Sequence, residues 1–249
     1  MNLIQRTAPL VREWLFPAGC VLCGTYLSEY RDALCGVCRF CRNTLEINRD
    51  QRCVSCGRPL ISEKSRCLSC RRGEEFSFDK AVSVFPYEGN YRKIMSGYKY
   101  GKNRALGFYL AESFFRALEL FGPDGVPETW VPVPPRPGKI KSAGWDQIAC
   151  LARCLRILSR SRSIQGEYTV PEFSLRSCLK RLPSKSQKEL SKEDRKTNLL
   201  GKIVCAAKPA SRILLFDDVI TTGATLDVCS RVLKDAGAET VYAVSLFYD

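Results

Sequence analysis

Apolar positions change their spacing several times along the chain, and each change marks an element. "KAVSVFPY" (80–87) is rich in β-branched and aromatic residues and predicts a strand. "YRKIMSGYKYGKNRALGFYLAESFFRALELF" (91–121) is helical in pattern, with a break near Gly97–Gly101. "WVPVP" (130–134) predicts a short strand that stops at Pro134-Pro135. In "WDQIACLARCLRILSRS" (145–161) apolar residues recur at 148, 151, 155 and 158, a helix period. "YTVPEFSL" (168–175) predicts a strand or extended segment. "KIVCAA" (202–207) and "RILLFDD" (212–218) are short apolar runs of strand length. "ATLDVCSRVLKDAGA" (224–238) predicts a helix stopped by Gly237, and "TVYAVSLFY" (240–248) a last strand.

Strands that alternate with helices predict an α/β domain with a mainly parallel sheet over 79–249. A different composition precedes it, at 16–73. The chain of 249 residues is long enough for one large domain or two small ones. No apolar run approaches the ~20 residues of a membrane span. Arg6, Pro9, Arg12 and Glu13 interrupt the first residues, so no signal-peptide core forms there. "TAPLVREWLF" (7–16) predicts a short amphipathic helix instead. "PAGC" before Cys20 has a faint likeness to a lipoprotein cleavage site, against which Arg12-Glu13 and Cys23 both argue. The expected location is cytoplasmic.

Nine of the 14 cysteines fall between 20 and 70. The pairs are "CVLC" (20–23), "CGVC" or "CRFC" (35–38 or 38–41), "CVSC" (53–56) and "CLSC" (67–70). Four C-x2-C knuckles in a cytosolic chain indicate zinc rather than disulfides. Two thiolates three positions apart on a tight turn reach one tetrahedral ion, and a second knuckle completes it. Sequential pairing puts Cys20, Cys23, Cys38 and Cys41 on one ion and Cys53, Cys56, Cys67 and Cys70 on another. Interleaved pairing is also open, as is Cys35 in place of Cys41. A segment with so little apolar surface needs the metal to fold, which makes both ions structural. The five other cysteines, 150, 154, 178, 205 and 229, are expected as small core residues.

The formal net charge is +13. It is uneven: 176–202 holds nine Lys/Arg against three acids, and 136–162 holds seven against one. Clustered basic charge favours polyanion binding. The chain has no histidine, which excludes imidazole general bases, Cys-His nucleophiles and His-bearing metal sites.

"ILLFDDVITTGATL" (213–226) carries the most specific chemistry. It reads strand, turn, helix, and ligands of open parallel sheets bind at the carboxyl ends of strands. Thr221, Thr222, Gly223, Ala224 and Thr225 can surround a phosphate at a helix N-terminus with N–H groups and hydroxyls. Asp217 and Asp218 suit a ribose diol, directly or through Mg2+-bound water. The stretch therefore calls for one molecule with both a phosphate and sugar hydroxyls. It resembles the signature of type I phosphoribosyltransferases, whose substrate is 5-phosphoribosyl 1-diphosphate.

The whole of 16–249 resembles the ComF family, a double zinc ribbon fused to a phosphoribosyltransferase-like domain. The matching pieces are "FPAGCVLCG", "CRFCRNTL", "CVSCGRPL", "FPYEGNYRKIMSGYKYGKN", "VPVPPRPGKIKSAGWDQ", "LKRLPSKSQKELSKEDRKTN" and the signature itself. The resemblance favours Cys38 and Cys41, followed by Leu45, as the second knuckle. It implies Asp217 and Asp218 as catalytic residues. It implies Arg136 and Lys139, with Lys141 beside them, as diphosphate ligands in "PPRPGKIKS" (134–142). It also implies a basic lid at 177–198, from which Lys180, Arg181 and Arg195 could reach the ligand. One departure is Ala143-Gly144-Trp145-Asp146-Gln147, where the family usually has Arg-Gly-Phe-Asn-Gln.

The resemblance further implies single-stranded DNA as a partner in natural transformation, beside a DNA translocase or helicase. Tyr98, Tyr100 and Trp145 would supply base stacking if exposed, and core packing if not. A metabolic phosphoribosyltransferase acting on a small acceptor is the alternative expectation.

Overall fold

The computed structural model describes residues 19–60, 64–73, 75–123, 125–138, 144–160, 168–183 and 201–249. The helix expected at 7–16, Lys139, Lys141 and the lid residues 184–198 lie outside them.

Two cysteine ribbons come first. They contain the short helices α1 (Tyr30–Cys35), α2 (Arg39–Asn43) and α3 (Leu68–Arg72). The α/β body follows as β1 (Lys80–Pro86), α4 (Gly89–Lys99), α5 (Ala105–Leu118), β2 (Thr129–Pro132), α6 (Gln147–Ser159), β3 (Ser174–Leu175), β4 (Leu179–Arg181), β5 (Ile203–Cys205), β6 (Arg212–Ile220), α7 (Ala224–Asp235) and β7 (Thr240–Tyr248).

Five strands form one sheet in the order β1-β7-β6-β2-β3, every neighbouring pair parallel. Alternation along β6 explains its burial on both sides. Leu214 and Phe216 join one core with α4, α5 and α6, while Ile213 and Leu215 join another with α7. Trp130 on β2 anchors the first core. It is fully buried, stacks on Phe173 at 3.8 Å between ring centroids, and donates its indole N–H to the Pro127 carbonyl at 2.8 Å.

The ribbons are part of these cores. Cys20, Leu27, Cys35, Val37, Cys41 and Leu45 share the cluster of α4 to α6. Cys53, Cys56 and Cys70 share the cluster of α7. The two ribbons thus pack on opposite faces of the sheet. The second also covers the outer edge of β1: Ser83 N–H donates to the Gly57 carbonyl at 3.1 Å, and Arg52 Nη1 donates to the Ser83 carbonyl at 2.8 Å. Gly57 has φ +71°, and a Cβ there would lie 2.2 Å from the Ala81 carbonyl oxygen, so no side chain fits between ribbon and strand.

The structure departs from the sequence reading at two places and narrows it at a third, the segment 168–175. The helical stretch breaks at 100–104 rather than 97–101, because Gly97 serves packing: Val21 and Leu106 would stand 3.0 and 3.1 Å from its Cβ. Only Ser174–Leu175 of the extended segment 168–175 pairs with β2. The run at 203–205 leaves the main sheet and pairs antiparallel with Leu179–Arg181, so part of the basic lid segment is a hairpin strand. Among the other cysteines, Cys154, Cys178 and Cys229 are buried, and Cys150 and Cys205 are half-buried. No helix among the described residues is long and apolar enough to cross a membrane.

Candidate functional site: a strand-end acidic pair and two cysteine tetrads

Parallel strands deliver their carboxyl ends to one edge of the sheet, and the acidic pair stands there on β6. Asp218 is 6% exposed. Its Oδ2 accepts a hydrogen bond from Gln147 Nε2 at 2.6 Å and lies 3.4 Å from Lys99 Nζ. Asp217 is half-buried, and its Oδ1 accepts the Asp218 N–H at 2.8 Å. Burial, and next the charge of Asp218, hold the Asp217 carboxyl well above the ordinary carboxylate range, with Lys99 opposing. An acidic pair at this cost in desolvation calls for a cationic or hydroxyl-bearing partner.

Gln147 and Lys99 were not among the expected site residues, and their positions have local causes. Gln147 is the first residue of α6. Asp146 caps that helix by accepting the Ile148 N–H at 3.0 Å, so the Asp at the departure from the family pattern has a structural task. The buried Tyr98 hydroxyl donates to the Gln147 carbonyl, and its ring meets Trp145 edge-on at 5.5 Å. Tyr98 and Trp145 are therefore core residues that place Gln147, and neither is exposed for stacking. Tyr100 is 70% exposed.

The turn after β6 runs from Thr221 to Gly223, and Ala224 and Thr225 open α7. Thr222 Oγ1 accepts the Ala224 N–H at 3.4 Å. Gly223 has φ +79°, and a Cβ there would meet the Phe76 ring at 2.5 Å. Gly223→Ala should lower stability by about 1–2 kcal/mol, read as a Tm loss of about 2–8 °C by calorimetry.

Cations flank the acids. β2 runs parallel to β6, so the loop after it, with exposed Arg136, leaves at the edge of the sheet that carries Asp217. Arg181, on β4, is half-buried. Burial and then the like charge of Arg136 draw its guanidinium below its usual range, while Asp217 pulls the other way. Arg181 thus feels both Arg136 and Asp217. Lys180 on the same strand is exposed.

The cysteines converge as two tetrads, Cys20, Cys23, Cys38, Cys41 and Cys53, Cys56, Cys67, Cys70, the Sγ atoms of each within 4.8 Å of one another. A tetrahedron with Zn–S bonds of ~2.3 Å has edges of about 3.8 Å. Cys23 Sγ–Cys38 Sγ and Cys56 Sγ–Cys67 Sγ are both 3.8 Å. Backbone N–H groups face the sulfurs: Cys38 N–H donates to Cys20 Sγ at 3.4 Å, and Cys67 N–H to Cys53 Sγ at 3.3 Å. The tetrads fit two structural zinc ions. Four-thiolate sites leave no open position, so the metals supply folding energy rather than a reaction centre. Cys35 stands outside both tetrads. It is fully buried beside Arg42 Nη1, and burial, then Glu112, push its thiol up to about 12.

Comparison with known proteins agrees with both halves of the molecule. Residues 11–71 match the model of the double zinc ribbon domain. Competence protein F of Haemophilus influenzae is 27% identical over 89% of this chain and 93% of its own length. Competence protein ComFC of Streptococcus pneumoniae is 23% identical over 91% and 98%, and that of Bacillus subtilis is 26% identical over 81% and 79%. The chain is similar to the ComF proteins. The similarity runs through the ribbons and the α/β body alike. The parallel sheet with its amino-terminal cysteine cluster agrees with the phosphoribosyltransferase-like fold that the signature at 213–225 implies.

Proposed function

We propose that this protein acts as a ComF protein, binding 5-phosphoribosyl 1-diphosphate with Mg2+ at the β6–α7 junction and handling single-stranded DNA during uptake in natural transformation. One observation carries the ligand reading: an acidic pair, with Asp218 held by Gln147 and Lys99, is followed after two residues by a small-residue turn into a helix. The Thr221–Thr225 N–H groups and hydroxyls bind the 5-phosphate, aided by the dipole of α7. Asp217 and Asp218 take the ribose hydroxyls and water on the metal. Arg136 and Arg181 bind the diphosphate, and Lys139 is the further ligand expected from the sequence. Mg2+ supplies charge neutralisation on the diphosphate when bound.

The DNA-uptake role is supported by three relatives named as competence proteins. The basic excess and the exposed Tyr100 beside Lys102 suit a single strand by charge and stacking. A translocase or helicase of the uptake machinery is the expected protein partner, in the cytoplasm.

Titration calorimetry with the sugar diphosphate, with and without Mg2+, tests the ligand. Binding that needs the metal is expected, and no heat from intact protein would end the reading. An oligonucleotide titrated at several salt concentrations should show log K falling linearly with log salt. Diphosphate release on adding bases or amines would mark a metabolic transferase instead.

A further inference from the structure

The Thr221–Thr225 turn is held from outside by two chain segments that both leave the second cysteine tetrad. One is Arg58, two residues after Cys56. Its carbonyl accepts the Cys53 N–H at 2.8 Å, so its backbone belongs to the metal knuckle. Its Nη2 donates to the Thr221 carbonyl at 2.7 Å, and its guanidinium lies 5.7 Å from the Tyr248 ring at the end of β7. The other segment leaves Cys70. Phe76, six residues on, lies against Gly223, and the Ser77 N–H donates at 2.7 Å to Oδ1 of the buried Asp227 in the first turn of α7.

We propose that metal occupancy of Cys53, Cys56, Cys67 and Cys70 sets how firmly the Thr221–Thr225 loop grips its phosphorylated ligand, with Arg58 and Phe76 as the transmitting residues. The inference rests on the reading of that loop as a phosphate site. In a trans peptide the carbonyl and the following N–H point opposite ways. A Thr221 carbonyl tied to the ribbon therefore turns the Thr222 N–H away from the ribbon, to the side left for a ligand. Phe76 occupies the position that a Gly223 Cβ would take, so the Gly223 backbone cannot shift toward that ring. One ion joins the knuckle of Arg58 to the knuckle before Phe76, and it adds to the contacts that these segments make with β1, β7 and α7. Without it, the link between them is a loop of chain whose conformational freedom returns. The first tetrad packs with α4 and α5 on the other sheet face, so it is an internal control.

The test combines zinc content, hydrogen exchange of the peptide 219–230 and titration with 5-phosphoribosyl 1-diphosphate plus Mg2+. That peptide holds the Asp227 N–H, which donates to the Gly223 carbonyl at 2.9 Å. Arg58→Ala should keep two zinc equivalents, speed exchange in 219–230 while 241–246 stays protected, and raise the Kd about tenfold or more. Arg58→Lys should recover part of both losses. Cys67→Ser should lose one zinc and show the same local exchange, and Cys38→Ser should lose one zinc and leave 219–230 as in the parent. Parent-like exchange and affinity in Arg58→Ala would overturn the clamp, whether or not Cys67→Ser folds. If the parent binds no ligand yet the exchange pattern holds, the ligand reading fails and the clamp stands.

Discussion

Dialysis of the protein against a strong chelator will release two zinc equivalents and abolish cooperative melting of the ribbons. The effect is large because the metals replace a core that residues 19–73 do not have. Four cysteines supply the centre of each ribbon, and several are buried. Structural zinc contributes on the order of 10 kcal/mol to folding in small four-ligand sites. Cys56→Ser should leave one zinc and destabilise the sheet as well, because its ribbon covers the β1 edge and shares the α7 core. Metal analysis and scanning calorimetry of parent and variant check this. A variant that keeps two equivalents and the parent Tm would remove the tetrads from the account.

The second large effect falls on the acidic pair. Asp217→Asn with Asp218→Asn should raise the Kd for 5-phosphoribosyl 1-diphosphate and Mg2+ about 100-fold, since each charge-assisted bond contributes roughly 1.5–3 kcal/mol. The empty protein should respond in the opposite direction. The Asp217 carboxyl is held above its ordinary range, chiefly by burial and then by Asp218. The native state therefore keeps a proton that the unfolded chain has released. Stability falls as pH rises from the unfolded value, about 3.9, through the folded one. Asp217→Asn alone should raise Tm near neutral pH, and the gain should vanish below about pH 4. Melting curves at the two pH values read the sign directly. A lower Tm for the variant at neutral pH would mean that the carboxylate is already satisfied within the protein.

Much of the site was visible in "ILLFDDVITTGATL". An apolar run that ends in two acids and restarts as a helix has few other uses, and the structure puts that run in the middle of a parallel sheet. The residues that position the pair were hidden. Gln147 is 71 positions from Asp218, and Lys99 reaches it from α4, a helix on one sheet face. Both lie in stretches that resemble the family, but nothing in their local pattern ties them to the acidic pair. Tyr98 and Trp145, open to stacking or to core packing on sequence alone, take the second role: their rings close the core behind Gln147. Arg181 stood in a basic stretch that resembled a lid, and only its pairing in β4 against β5 brings it near Asp217.

The chain by itself determined the local chemistry. Knuckle spacing set the metal-binding turns, the period of apolar residues set strands and helices, and the acidic pair with its small-residue turn set the kind of ligand. Each of these depends on neighbours a few positions apart. Tertiary structure alone decided that the two ribbons take opposite faces of the sheet and that Arg58 and Phe76 reach the Thr221–Thr225 turn. Those outcomes depend on contacts with residues far along the chain, 163 positions apart for Arg58 and Thr221. Packing free energy over such separations leaves no periodic trace along a single chain.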